Sequence, residues 1–225
     1  MEPADILRRS WLLYRGHWRR LLPIAALVYL PVGAVSALLT LAGWPGIAIA
    51  NLLNLAAIFL VQGALVAAVE RVDERGEEPV VAESLGRAGG RIVTLATAGL
   101  LAAAGIVAGL ALLIVPGLVL LTWWLVLVPV IMLERERVTA AFTRSRALVI
   151  GHGWPVFGVA LATTLILLAF GLVLAGILQP LSGAVSSLAQ SAVGNTLAAP
   201  FAAVAWTLTY FRLRDIEAAE RPEPA

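Results

Sequence analysis

Residues 92–133 read IVTLATAGLLAAAGIVAGLALLIVPGLVLLTWWLVLVPVIML and contain no charged side chain. A helix rises about 1.5 Å per residue, and about 20 apolar residues cross the roughly 30 Å of hydrocarbon in a bilayer. The stretch is therefore long enough for two crossings. Val115-Pro116-Gly117, near its middle, supplies the punctuation of a reversal.

The same organisation repeats on either side. Charged clusters at 70–91 and 134–146 bound the stretch, two more uncharged stretches run over 21–69 and 147–211, and charge returns at 2–20 and 212–223. Ala42-Gly43-Trp44-Pro45-Gly46 breaks the first stretch, and Gln179-Pro180-Leu181-Ser182-Gly183 breaks the last. Six membrane spans are expected, at about 21–42, 47–69, 92–114, 117–133, 154–178 and 184–211, the sixth kinked at Pro200. The fold class is all-α and polytopic.

Composition agrees. Of the 225 residues 60% are hydrophobic and 13% charged, where a soluble domain carries about 25% charged residues, so a water-soluble globule is excluded. The absence of cysteine excludes disulfide scaffolds, thiol nucleophiles and cysteine-ligated metals. All charges then fall on one side of the membrane. Arg-rich loops remain cytoplasmic, which places both termini inside a bacterial inner membrane. The segment 21–42 exceeds the about 7–15 apolar residues of a cleavable signal, so it is expected to be an uncleaved first span.

Each helix pair is preceded by a charged segment, and three interfacial helices are expected. Helical projection of 5–20 gathers Ile6, Leu7, Ser10, Trp11, Leu13, Tyr14, His17 and Trp18 on one face, with Asp5, Arg8, Arg15 and Arg19 opposite. In 138–150, Val138, Ala141, Phe142, Ser145, Leu148 and Val149 face one way, and Thr139, Thr143 and Arg146 the other. The middle segment, with Val80, Val81 and Leu85, is weaker. Arg9-Ser10, Leu13, Gly16 and His17 match Arg144-Ser145, Leu148, Gly151 and His152 at one fixed offset, and Glu70-Arg71 answers Glu134-Arg135. A three-fold parallel repeat follows, with units of about 4–72, 78–136 and 137–214 in a single transmembrane domain, and 215–225 as a disordered cytoplasmic tail.

Val115-Pro116-Gly117, Leu127-Val128-Pro129, Leu133-Glu134, Ala140-Ala141, Arg144-Ser145 and Gly151-His152-Gly153-Trp154 resemble the membrane domain associated with glycerophosphoryl diester phosphodiesterases and related bacterial multi-pass proteins. Pro200-Phe201, Thr207-Leu208, Tyr210 and Arg212-Leu213-Arg214 resemble that family's closing segment, although Arg212 stands where the family leads one to expect an acidic residue. The resemblance covers most of 1–214 and implies a fold, not an activity. Hydrolysis in that group belongs to a separate soluble barrel of about 250 residues, and the residues after 211 are too few for one.

No HExxH, GxSxG, paired intramembrane carboxylates or GxxxxGK[ST] occurs, so no catalytic residue, metal or cofactor is expected, nor an ATP-driven pump within the chain. His17 and His152 are either two ligands, a proton relay or amphipathic anchors at the ends of interfacial helices. Glu70 and Glu134 lie where spans meet the cytoplasm, and Glu134 is expected to clamp Arg144 or Arg146; the alternative is a solvated end charge. Asn51, Asn54 and Gln62 of the second span, with Ser187, Gln190, Ser191 and Asn195 of the sixth, either line a polar path or hydrogen-bond neighbouring helices.

Basic charge gathers on the first and third interfacial segments, which makes Arg8, Arg15, Arg19, Arg144 and Arg146 candidate contacts for anionic lipid headgroups. Every cation is arginine, which suits bidentate phosphate binding and equally a GC-rich genome. The functional expectation is a non-enzymatic module that engages lipids or protein partners, including copies of itself, and no nucleic acid. The alternative is a transporter or lipid-translocating protein using spans two and six.

Overall fold

The computed structural model describes residues 2–178 and 183–220, with the backbone alone for 183–192. Every regular element among them is helical: α1 (Pro3–Thr40), α2 (Trp44–Arg75), α3 (Val81–Gly89), α4 (Ile92–Leu112), α5 (Ile114–Trp123), the single turn α6 (Leu127–Pro129), a π-helical turn (Val130–Glu134), α7 (Val138–Val149), α8 (Gly153–Leu178) and α9 (Gly183–Glu220). Among the described residues five stretches are long and apolar enough to cross a membrane: α1, α2, α4, Ile114–Glu134 and α8. The sixth expected span falls within α9.

The core forms around the second half of α2, where all residues from Val61 to Val69 are buried. A helix apolar on every side is stable only when surrounded, and α1, α3, α4, α9 and the π-helical turn surround this one. α1 packs along both α2 and α9, α4 pairs with α5, and α8 leans on α9. α8 is peripheral. Only 6% of its most apolar window is buried, so its leucines need a surrounding that is itself apolar.

Local chemistry explains the helix ends. Pro3 opens α1, where the missing N–H leaves nothing unbonded. Gly43 (φ 73°, ψ −152°) turns α1 into α2 through backbone angles that a side chain would strain, and Gly76 (φ 63°) closes α2 by donating its N–H to the Arg71 carbonyl. The first amphipathic segment and the first span are two helical pieces that meet at a kink within α1. Their junction is a local departure from helical angles at His17 (φ −118°, ψ 16°).

The region 113–134 departs from expectation in two ways. The reversal is not at Val115-Pro116-Gly117: the chain turns at Leu113 (φ −160°, ψ 142°), and Pro116 and Gly117 lie inside the first turn of α5. A first-turn proline loses no helical hydrogen bond, so the Pro-Gly pair starts a helix here instead of ending one. Nor is 117–133 a single helix. α5 stops at Trp123, and the chain resumes as α6 and the π-helical turn. Pro129 cannot donate to the carbonyl four residues earlier, and its ring crowds that carbonyl, which disfavours regular helix across 125–129. Arg135, in the left-handed region at φ 59°, ends the π-helical turn.

At the C-terminus, α9 continues without a break through Pro200 and on to Glu220, past the point where a disordered tail was expected to begin. Residues 221–225 lie outside the described residues, as does most of the third expected reversal, at 179–182.

Candidate functional site

The chemistry-bearing side chains gather at one end of the helix bundle. The start of α1 joins the end of α2 through Arg9 and Asp73 at 2.7 Å, and the end of α9 joins the end of α2 through Arg214 and Glu74 at 2.5 Å. Glu70, at the end of the buried part of α2, accepts from Arg87 of α3 at 2.7 Å and from Arg75 at 3.2 Å. Arg71 pairs with Glu83 and, at 2.9 Å, with Glu77. Arg91, between α3 and α4, reaches the carbonyl of Ile131 at 3.3 Å.

The most connected of these groups is Arg144 on α7. Its Nε donates to Glu134 Oε2 at 2.7 Å, and its two terminal nitrogens donate to the two oxygens of Glu217 on α9, both at 2.7 Å. The Tyr210 hydroxyl donates to the other Glu134 oxygen at 3.0 Å. The planar guanidinium thus joins three elements by a bidentate and a single charge-assisted bond. The hydrogen bonds that Arg144 donates to Glu217, and next the one it donates to Glu134, hold its pKa above the ordinary value against the opposing effect of burial. A group already charged at every accessible pH contributes no pH dependence to stability in the physiological range.

The side chains of this trio are 22–32% exposed, against 58% and 69% for Arg20 and Glu78, which also pair. Partial desolvation separates the two cases: a pair as exposed as Arg20–Glu78 contributes at most about 1 kcal/mol, whereas removing one member of a shielded network leaves charge without compensation.

α7 is held by more than this network. It buries Ala141, Ser145, Leu148 and Val149. Ser145 Oγ donates to the Trp123 carbonyl at 2.7 Å, a group left without a helical partner where α5 stops, and Phe142 meets Trp124 edge to face at 4.9 Å. The Arg146 guanidinium sits 4.5 Å from the Trp123 ring centroid. At the other end of the chain, the Tyr14 hydroxyl donates to the Leu197 carbonyl, three residues before Pro200.

Glu134 and Arg144 are in contact, and Arg144 is thereby committed to carboxylates. Arg8, Arg15, Arg19 and Arg146 are exposed and, among the described residues, pair with no carboxylate; Arg19 lies 5.5 Å from the ring centroid of its neighbour Trp18. Asn54 donates to Ser36 on α1 at 2.9 Å and to the Ala50 carbonyl at 2.8 Å. Gln62 is buried with Oε1 unpartnered, and Asn51 and Asn195 are exposed on their separate helices. The side chain of Gln190, like those of Ser187 and Ser191, lies outside the described residues.

His17 and His152 stand at the α1 kink and just before α8; His17 Nδ1 is 3.3 Å from the Leu13 carbonyl. Among the described residues no three histidine or carboxylate side chains converge as a metal would need. No protein-family model matches the chain, and neither does any curated protein or solved structure.

Two participants were not foreseen. Glu217, 73 residues from Arg144, and Tyr210, 76 residues from Glu134, complete the network, a pairing that depends on α9 returning to the charged end.

An open apolar groove of about 620 Å³ lies between α5 and the start of α8. Leu118, Val119, Trp123, Trp154, Pro155 and Phe157 form most of its wall. Thr122, also in the wall, turns its hydroxyl back to the Leu118 carbonyl at 2.7 Å.

Proposed function

We propose that the chain is a six-span protein of the bacterial inner membrane with both termini cytoplasmic, and that it acts as a non-enzymatic module engaging membrane lipids. The carrying observation is the segregation of charge. Ion pairs link the start of α1, the end of α2, α3, the π-helical turn, α7 and the end of α9 at one end of the bundle, while the sides expose leucine, isoleucine and valine. Because the end of α9 meets the end of α2, α9 is the sixth span in this reading, antiparallel to α1.

The first part of α1, α3 and α7 are the interfacial helices. Each buries one serine, Ser10, Ser84 and Ser145, against the bundle. In two of the three units the carboxylate closing a span accepts from an arginine of the next interfacial helix: Glu70 from Arg87, and Glu134 from Arg144. These parallels support the three-fold repeat. The exposed cations of α1 and α7 face the plane where anionic headgroups lie, and each such cation adds about 1 kcal/mol of attraction.

Reconstitution tests this function. Purified protein in liposomes is expected to leave entrapped solute and the distribution of labelled lipid between leaflets unchanged over protein-free vesicles. Movement of either that stops when Asn51, Asn54 and Asn195 are replaced by Leu would establish a translocating pathway instead.

A further inference from the structure

We propose that the groove between α5 and α8 holds an acyl chain of a phospholipid whose phosphate is met by Arg146, a specific lipid site within the lipid-engaging role proposed above. The argument rests on what meets at Trp123. The indole is part of the groove wall, and the Arg146 guanidinium lies 4.5 Å from its ring centroid. A cation stacked on an aromatic face is fixed in position while its N–H donors, which radiate in the guanidinium plane, remain free for an acceptor. Arg146 is exposed and has no carboxylate partner among the described residues, although Arg144, two residues earlier, has two. The neighbouring guanidinium is committed to the fold, and this one is not.

The groove supplies the apolar half of the ligand. Its wall is aliphatic and aromatic, and its size lies within the roughly 300–1,000 Å³ of small-molecule sites. The one hydroxyl in the wall, that of Thr122, is turned inward to a carbonyl, so the wall presents mostly apolar surface to an acyl chain. Trp154 is 84% exposed at the rim and meets Phe157 edge to face at 6.3 Å, an aromatic edge of the kind favoured at the membrane interface. An apolar trough ending at an unpaired guanidinium is complementary to a molecule with a hydrocarbon chain at one end and a phosphodiester at the other. α8, almost unburied along its apolar window, leaves the trough open sideways to the lipid.

The test uses the full chain released from detergent micelles into native mass spectrometry, with phosphatidylglycerol as the probe. The wild type is expected to retain one phosphatidylglycerol at activation energies that strip the rest. Arg146→Gln and Val119→Trp, which fills the trough from an exposed wall position, are each expected to reduce that retained fraction at least five-fold. The thermal midpoints of both variants should stay near wild type, since neither side chain is buried. Glycerophosphoglycerol, the headgroup without chains, is expected not to displace the lipid. Retention that survives both substitutions and falls instead in the triple variant Arg8→Gln, Arg15→Gln, Arg19→Gln would overturn the groove and leave the lipid-engaging role standing. No retention by the wild type would overturn both.

Discussion

Arg144→Met is expected to lower the thermal midpoint in detergent more than any other single change of a charged residue in this chain. Methionine preserves most of the side-chain volume and removes three charge-assisted hydrogen bonds. Glu134 and Glu217, both partly shielded, are then left facing each other without the intervening cation. Breaking a fully buried ion pair costs about 3–5 kcal/mol and an exposed one less than about 1 kcal/mol, so a network at this intermediate exposure is expected to lose about 2–3 kcal/mol. The cost lies in two carboxylates held close together without the guanidinium they share. Adding Glu134→Gln and Glu217→Gln to Arg144→Met should therefore recover part of the loss, whereas Glu134→Gln alone should cost about 1 kcal/mol, because the amide oxygen still accepts from Arg144 and the amide N–H donates to the Tyr210 oxygen in place of the bond that Tyr210 donated to the carboxylate. Equal midpoints for Arg144→Met and the wild type would show that the network does not hold α7 and α9 to the bundle.

The second large effect is expected in the apolar α4–α5 hairpin. Gly109 and Gly117 let two helix backbones touch: a Cβ at Gly109 would stand 2.9 Å from the Gly117 Cα and 3.0 Å from its nitrogen, and one at Gly117 would stand 2.6 Å from the Leu110 nitrogen. Backbone atoms cannot rotate aside as a side chain can, so Gly109→Val forces the helices apart. Overpacking costs about 1–3 kcal/mol where side chains can adjust, and this contact belongs at the upper end of that range. In a membrane, where helix association depends on close packing more than on hydrophobic burial, the lost contact has little to replace it. Gly171→Val on α8, where a Cβ meets nothing within 4 Å, is the control. A drop in midpoint for Gly109→Val and none for Gly171→Val is the expected pattern, read by thermal unfolding in detergent.

How much of this could be read from the sequence depends on the range of the interaction involved. The all-helical architecture follows from uncharged runs whose length is set by helix rise and bilayer thickness, quantities that need no tertiary information. The Glu134–Arg144 contact was also within reach, since ten residues and one loop separate the pair. Glu217 and Tyr210 were not, because their place in the network depends on α9 returning beside α2 and α7. The break after Trp123 had a local signal in Pro129, but a proline in an apolar run is compatible with either a kink or an interruption. What decides here is that Ser145 of α7 is on hand to bond the Trp123 carbonyl. Pro116-Gly117 misled for the opposite reason. The pair is a turn signal in isolation, yet proline in a first turn and glycine at a close helix contact are equally good reasons for the same two residues. The pairing of Arg146 with an indole instead of a carboxylate is likewise a tertiary fact, since Trp123 is 23 positions away along the chain.

The central claim is that all the charge of this chain lies on the cytoplasmic side of a six-span bundle, and the absence of cysteine makes it directly measurable. Single cysteines at Ala4, Glu78 and Arg137, at the charged end, and at Leu41 and Leu112, at the opposite end, would be treated with a membrane-impermeant maleimide in sealed vesicles of each orientation. The expected result is labelling of the first three only in inside-out vesicles and of the last two only in right-side-out vesicles. Labelling of Ala4, Glu78 and Arg137 from different sides would contradict it.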